Sequence, residues 1–586
     1  MNRITSKRLR ALAGGPWSLR PLRTWPRAID LVIFATGLAL LYGLIAVGRT
    51  WLGPITPRIE INRSPLALPG YTAYSLLRIL VAYLLSLGFA LVYGYIAAYN
   101  ATAERLMIPL LDILQSIPVL SFLPGVMLAM VALFPLRQLG IELGAILLIF
   151  SGQVWNMAFS FYASLKGIPK EMRETARVYR FNALQRLREV ELPSSAIGLV
   201  WNSMMSVAGG WFFLMACEMF VLGDRDFRLP GLGSYLQTAA SAGDTIAIFW
   251  GVAVMVAVIV LLDQCLWRPI IAWAGKFKLE EIEGGESSKS WMLDLIRHSR
   301  LIALFQKSTL APLIERISVH FAEARLKKAP EQQRFRGLKR WAPRVLGVAL
   351  VAVVAYAVAR AGMMMAGLDR AEIAEMGIGM LATFARVNIA LLIGAAWTIP
   401  AGVAIGFSPR LSRVVQPLAQ IAASVPATAL FPIVLLVLIR LGGGLGVASV
   451  VLMLLGTQWY ILFNVIAGAI AIPSDLKEAA AVFKFGPGAK WRKLILPGIF
   501  PYLITGFVTA SGGAWNASII AEYFEFKGHI FSTVGLGATI SQATAAGNFD
   551  VLIASTVAMA AVVVTINRLV WRRLYALAET RYKLEI

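Results

Sequence analysis

Two arginines, Arg78 and Arg386, stand inside long apolar runs, and two glutamates, Glu218 and Glu522, stand near the ends of others. An ionisable group within a membrane span is costly and faces a partner or an aqueous path. A guanidinium there can hold an anion, but it can also snorkel to headgroups or pair with a carboxylate such as Glu218 or Glu522. Both readings stay open on the sequence. A second set of candidates is polar and aromatic: Gln153, Trp155, Asn156, Trp201, Asn202, Gln458, Trp459, Asn464 and Asn516, with Ser116 and Ser424 beside prolines. A helix broken at a proline frees backbone amides that can bind an anion where they line a cavity. For any one of these residues, helix packing or an interhelical hydrogen bond is the commoner role. Covalent chemistry would need a nucleophile–base pair or a metal cluster. The three histidines, His298, His320 and His529, are instead scattered outside the apolar runs. Cys217 and Cys265 fall within such runs and make no disulfide framework.

The elements that carry these residues are membrane helices. Of 586 residues 58% are hydrophobic and 15% charged, against roughly half and a quarter in an average soluble chain. Apolar runs long enough to cross a hydrocarbon core of ~30 Å recur throughout. A net charge of +23 would suggest nucleic acid in a soluble protein. Here Lys and Arg cluster at the ends of the runs, the positive-inside pattern, so no nucleic-acid partner is expected. The basic stretch 1–28 reads as a retained cytoplasmic tail. Spans are expected at 29–47, 71–99, 106–133, 141–165, 194–222 and 245–267, then at 345–361, 377–406, 414–439, 445–470, 499–521 and 552–571. The third, with Ile117-Pro118 and Leu123-Pro124-Gly125, is expected to be kinked or broken. Twelve spans with both termini inside follow from the charge rule. Between the two sets, 275–344 is charge-dense and amphipathic and reads as a cytoplasmic linker on the inner leaflet.

The halves 29–274 and 345–586 repeat one another. At an offset of 308, Arg78 meets Arg386, Ser116-Ile117-Pro118 meets Ser424-Val425-Pro426, and Pro124 meets Pro432. At an offset of 304, Trp155 meets Trp459, Trp211 meets Trp515, Glu218 meets Glu522, and Gly231-Leu232-Gly233 meets Gly535-Leu536-Gly537. The four-residue slip lies between Pro124 and Trp155. The sign rule puts equivalent loops on the same side, so the repeats are parallel.

One loop occurs in both halves. Glu174-Thr175-Ala176 leads to Leu192-Pro193, and Glu478-Ala479-Ala480 leads to Leu496-Pro497, with the Pro nineteen residues after the Glu each time. The stretches 169–193 and 473–497 are polar and basic, each opened by Ile-Pro. The spacing predicts a short helix started by Pro169 or Pro473, with Glu174 or Glu478 in its first turn near the positive dipole end. These loops resemble the EAA loop of bacterial ABC importer permeases, the cytoplasmic helix-turn-helix that docks on the ATPase. Two copies look like two permease halves fused. The family's turn glycine is expected six residues after the Glu, where Arg180 and Lys484 stand; Asn182 and Gly486 follow two residues later. Asn and Gly tolerate the left-handed conformation, so the turn is expected to shift to them.

Tyr74 to Arg78, Leu381 to Arg386, Gly513-Ala514-Trp515-Asn516-Ala517 and Ala521-Glu522-Tyr523-Phe524 are similar to the nitrate/sulfonate/bicarbonate class of these permeases. The resemblance covers most of the chain outside the linker. It implies an all-α permease in the bacterial inner membrane, moving a small anion from periplasm to cytoplasm by alternating access. It also implies a periplasmic substrate-binding protein and two ATPase subunits that hold ATP and Mg. This chain has no G-x-x-x-x-G-K-S/T phosphate loop, and no cofactor or catalysis of its own is expected. A fused ferric-iron permease and a secondary transporter are the alternatives. The second would use ion-coupling carboxylates at the midplane and commonly inverted repeats.

Overall fold

The computed structural model describes residues 60–135, 138–222, 225–277, 290–298, 366–442, 444–526 and 529–581, with a few isolated positions besides. The first half runs through α1 (Leu68–Tyr99), α2 (Ala101–Ser116), α3 (Leu123–Leu133) and α4 (Leu139–Lys166). A basic loop follows with α5 (Lys170–Val178) and α6 (Ala183–Arg186), leading to α7 (Leu192–Glu218). A small antiparallel hairpin, β1 (Val221–Leu222) and β2 (Arg225–Asp226), precedes α8 (Leu232–Ala242), α9 (Thr245–Leu262) and α10 (Arg268–Ala274). A short helix, α11 (Trp291–His298), lies beyond. The second half repeats the order: α12 (Arg370–Phe407), α13 (Pro409–Ser424), α14 (Ala427–Arg440), α15 (Leu445–Ala471), α16 (Ser474–Val482), α17 (Pro487–Lys490), α18 (Leu496–Ala521), β3 (Tyr523–Phe526), β4 (His529–Ser532), α19 (Leu536–Ala546), α20 (Phe549–Ile566) and α21 (Arg572–Arg581).

Local chemistry sets the corners. Asn100 ends α1, and its side chain accepts from the amides of Thr102 (3.0 Å) and Ala103 (3.2 Å), capping α2. Ser408 caps α13 in the same way through Leu411. Gly243 and Gly547 end α8 and α19 with φ of 67°, and Asp244 and Asn548 then cap the next helices. Ile117 and Val425, each before a proline, are forced into extended backbone (ψ 130° and 117°). That breaks α2 from α3, and α13 from α14, the latter pair bent by 79°. The expected broken third span is therefore present in both halves.

Among the described residues eight helices are long and apolar enough to cross a membrane. The expected spans 29–47 and 345–361 lie outside the described residues, apart from isolated positions, as do the tail 1–28 and most of the linker. The fifth span is shorter than expected: α7 stops at Glu218, and Val221-Leu222 pairs as a strand. α4 packs between α1 and α7, and α15 between α12 and α18, around a core that buries Trp211 and Trp515. Just ahead of Leu192-Pro193 and Leu496-Pro497 the helix widens into π-turns, Leu187–Glu191 and Trp491–Ile495. A wider turn makes room for the proline ring against the preceding carbonyls, so the loop runs on into the membrane helix without a break.

Candidate functional site

Three assemblies result. The first joins the end of α7 to α1. Arg78 is bidentate to Glu142 (Nε–Oε2 2.6 Å, Nη2–Oε1 2.8 Å) and donates through Nη1 to Glu218 (2.8 Å) and the Pro230 carbonyl (2.8 Å). Ser75 donates to Glu218 (2.7 Å) and accepts from the Leu232 amide (3.0 Å), while the Gly233 amide donates to Glu218 (2.7 Å). All three ionised groups are 0–2% exposed. In the second half Arg386 pairs with Glu522 (2.8 Å), Thr383 replaces Ser75, and the Gly537 amide donates to the carboxylate (3.0 Å). Glu142 maps at the 304 offset onto Gly446, and Arg386 turns its free nitrogen to Thr533 instead (3.0 Å). Gly231 and Gly535 have extended backbones that any residue could adopt. Their constraint is space, because an added Cβ would lie 2.2 Å from Glu218 Cδ and 2.1 Å from Glu522 Oε2. Of the two open readings, the pairing one describes this conformation. Arg78, Glu218, Arg386 and Glu522 lock helices together, and none borders a cavity described below.

The second assembly is a pair of cavities between the halves. The larger, about 510 Å³, lies between α7, α13, α15 and α18, with Met204, Phe212, Trp459 and Tyr460 on its wall. The smaller, about 140 Å³, is bordered by Gln115, Trp155, Asn156, Thr509, Asn516 and Trp571 among others. Phe213, Tyr460, Gly513 and Asn516 border both. Among the described residues neither cavity has a charged residue on its wall. The repeat explains the difference in size. Gly152 and Gly456 are equivalent, but an added Cβ at Gly152 would lie 2.3 Å from the Phe213 ring, whereas Phe213 itself maps onto Ala517. One side is filled by a ring and the other left open. A third cavity, about 580 Å³, lies at the opposite end of α7 and α18 from the basic loops, with both hairpins and the charges Arg228 and Glu525 on its rim.

Trp155, Asn156, Trp459 and Asn516 therefore border the cavities, as does Trp201. Gln458 is buried and accepts from Trp397 Nε1 (3.0 Å). Gln153 is fully buried against Gly210, both its amide atoms lacking a partner among the described residues. Asn202 donates to its own helix at Gly198 (2.9 Å), and Asn464 does the same at Tyr460 (2.8 Å). Ser116 and Ser424 end α2 and α13 at the breaks. Phe213, Tyr460, Gln115 and Trp571 border the cavities without having been legible as candidates, since a lone aromatic or amide in an apolar run carries no signal.

The third assembly is the basic loop, present twice. Pro169 and Pro473 precede α5 and α16 as expected. Glu174 and Glu478 are exposed in the second turn, not the first, which holds Glu171 and Asp475. Thr175 is exposed and bonds back to Glu171 (2.8 Å). Ala176 is buried among Phe161, Leu165, Ile168 and Val190; Ala480 is buried likewise, and Ala479 half-buried. The turn does not shift to Asn182 and Gly486. Arg180 (φ 52°) and Lys484 (φ 50°) are themselves left-handed. The Phe181 amide reaches the Ala176 carbonyl (3.0 Å) and the Arg180 amide that of Arg177 (3.0 Å), with the same bonds from Phe485 and Lys484. That is a Schellman closure, in which two bonds to orphan carbonyls offset the cost of a non-glycine left-handed residue. Asn182 instead caps α6, exchanging bonds with Gln185 (2.7 and 2.9 Å). Gly486 caps α17 in extended backbone. The closure leaves Val178-Tyr179 and Val482-Phe483 at the tips, 70–79% exposed.

Each tip is tied down differently. In the first half buried Glu191 accepts from Arg186 (2.6 Å) and Tyr99 (2.6 Å), and Arg186 also reaches Tyr95 (2.8 Å). In the second, Lys477 and Lys490 lie over the Phe407 ring at 4.9 and 5.5 Å. The partly buried Lys477 ammonium is pushed below its ordinary value by desolvation.

Residues 90–266 and 398–583 each match the family model described as binding-protein-dependent transport system inner membrane component. The nitrate import permease protein NrtB of Synechococcus elongatus is 29% identical over 155 residues, 26% of this chain and 54% of the relative. The putative aliphatic sulfonates transport permease protein SsuC of Bacillus subtilis is 24% identical over 212 residues, 36% of this chain and 72% of the relative. The bicarbonate transport system permease protein CmpB of a Synechocystis species is 30% identical over 142 residues, 24% of this chain and 49% of the relative. The chain thus spans about half the length of two of these curated relatives and nearly three-quarters of the third.

Proposed function

Starting from the fact that this chain belongs to the family of binding-protein-dependent transport system inner membrane components, matched once in each half, we propose that it is the fused permease of an ABC importer for a small anion. The observation that carries the coupling is the pair of basic loops. Each presents an exposed Val-aromatic tip, held rigidly by a Schellman closure and by a buried alanine on the end of a membrane helix. A rigid apolar knob rimmed by Arg180 or Lys484 suits a cleft on a partner with an apolar floor and acidic edges. Two such tips call for two ATPase subunits, which hold ATP and Mg. Movement imposed there passes through the π-turns into α7 and α18, whose walls border both cavities. The wide cavity beside the hairpins faces the periplasm in this reading and receives substrate from a binding protein. The chain sits in the bacterial inner membrane with both termini in the cytoplasm, and 275–344 rests on the inner leaflet.

The names of the relatives support nitrate, bicarbonate or a sulfonate as substrate, with cyanate of the same chemical class. The test is uptake into proteoliposomes containing this chain, the ATPase encoded beside it and the cognate binding protein, with a panel of these anions. ATP-dependent accumulation of one anion supports the reading. Ferric-iron uptake without anion uptake, or uptake driven by an ion gradient without ATP, overturns it.

A further inference from the structure

The two arginines in the spans are the obvious ligands for an anion, yet Arg78, fully buried, and Arg386, 14% exposed, are both paired with glutamates and border neither cavity. What the pathway offers instead is neutral. Around the smaller cavity Trp155 and Trp571 each hold a buried indole N–H with no acceptor among the described residues. Gln115 and Asn156 stand on the same wall, and among the described residues neither carboxamide has a hydrogen-bond partner. Asn516 reaches the same cavity from the second half, accepting from the first half's Leu120 amide (3.3 Å) and donating to the Gly512 carbonyl of its own helix (3.0 Å). Buried donors without acceptors are rare, and each asks for a water, an ion or a ligand. Here two such indoles, with two part-exposed carboxamides beside them, gather on one cavity, and among the described residues its wall has no carboxylate to repel an anion and no cation to trap it. With roughly 30 Å³ as one water's share of the liquid, about 140 Å³ takes a planar or tetrahedral oxyanion of four or five heavy atoms with a water or two. The larger cavity also has two indoles and two glutamines on its wall, Trp201, Trp459, Gln416 and Gln420, but neither indole N–H is a buried donor without an acceptor, Gln416 accepts from Ser412 (3.0 Å) and Gln420 donates to Met204 (2.7 Å).

We propose that the smaller cavity is the transport site for a small oxyanion. It is built by neutral donors from the first half's α2 and α4 and the second half's α18 and α20–α21 region, while Trp459, the repeat mate of Trp155, borders the larger cavity. This rests on the anion-importer reading. Neutral donors suit passage, since a transported ion must bind well enough to enter and weakly enough to leave. Phe213 and Tyr460, which border both cavities, form the partition between the site and the larger space.

The test uses the full complex in proteoliposomes, with ¹⁵N-nitrate as probe and ¹³C-bicarbonate beside it. Trp155→Phe and Trp571→Phe keep an aromatic ring and remove the indole N–H; each should raise the KM for uptake about tenfold, the loss of one hydrogen bond to a charged group. Trp250→Phe, exposed on α9 and bordering neither cavity, should leave KM within about twofold. Asn156→Asp places a carboxylate on the site and should abolish uptake, with Asn156→Gln restoring it. Unchanged KM in both indole variants, or full uptake by Asn156→Asp, overturns the site while leaving the importer reading intact. Should the unaltered complex carry neither anion while hydrolysing ATP, the importer reading fails and takes the site with it. Should a variant fail to assemble with the ATPase, equilibrium nitrate binding to the unaltered complex decides: one mole per mole of chain, displaced by bicarbonate, is expected, and none overturns the proposal.

Discussion

Replacing Arg78 by methionine strands two carboxylates at once. Glu142 loses both of its bonds and Glu218 one of three, all at groups 0–2% exposed. Removing one partner of a buried pair costs about 3–5 kcal/mol. At 1.4 kcal/mol per tenfold, that raises the population with the clamp open by roughly 150-fold to several thousand-fold. Cys217 reports this directly: it adjoins Glu218 and is fully buried, whereas Cys265 is exposed and can be replaced by serine. The rate at which a small maleimide labels Cys217 in the C265S background is then proportional to the open population. Arg78→Met should raise it by at least about 100-fold. Glu142→Gln should raise it less than about tenfold, because Arg78 keeps Glu218 and the glutamine oxygen still accepts. Arg386→Met breaks the equivalent pair in the other half and should leave Cys217 protected. Equal labelling in Arg78→Met and unaltered protein would refute the reasoning, as would equal effects of Arg78→Met and Arg386→Met.

Three further outcomes are expected. Gly535→Ala drives a Cβ to 2.1 Å from the buried Glu522 carboxylate, so membrane-inserted protein should fall severely, while Gly377→Ala, with open space around it, should be neutral; immunoblots of membrane fractions check both. Lys484→Gly removes a left-handed lysine and should stabilise the loop by about 1 kcal/mol, whereas Lys484→Val should destabilise it by at least that much, seen as opposite shifts in Tm. Phe213→Ala should join the two cavities and relax discrimination between nitrate and larger sulfonates, measured as the ratio of their kcat/KM values for uptake.

Much of this was legible because membrane helices announce themselves. Run length, prolines and charge placement put most described helices within a few residues, and the repeat offsets located the clamps, loops and breaks in both halves. Finer points needed geometry. Glu142 reads as an ordinary loop-end acid, since its mate Gly446 gives no repeat signal, yet it completes the Arg78 clamp. The turn was misplaced because propensity favours Asn182 and Gly486, whereas two Schellman bonds hold Arg180 and Lys484 left-handed. The end of α7 was overrun because Phe220 to Leu222 is as apolar as a span, and only hairpin pairing distinguishes it. Cavity walls draw on helices far apart in sequence, so Phe213 and Tyr460 had no local mark.

The coupling loops are the centre of the account, and one measurement tests them. In proteoliposomes with the partner ATPase and saturating anion-loaded binding protein, ATP hydrolysis and anion uptake are followed together for the unaltered chain, Tyr179→Ala and Phe483→Ala. The account predicts anion-stimulated hydrolysis in the unaltered complex and loss of both stimulation and uptake in each variant, with the clamps intact by Cys217 protection. Uptake that persists undiminished when both tips are removed would contradict it.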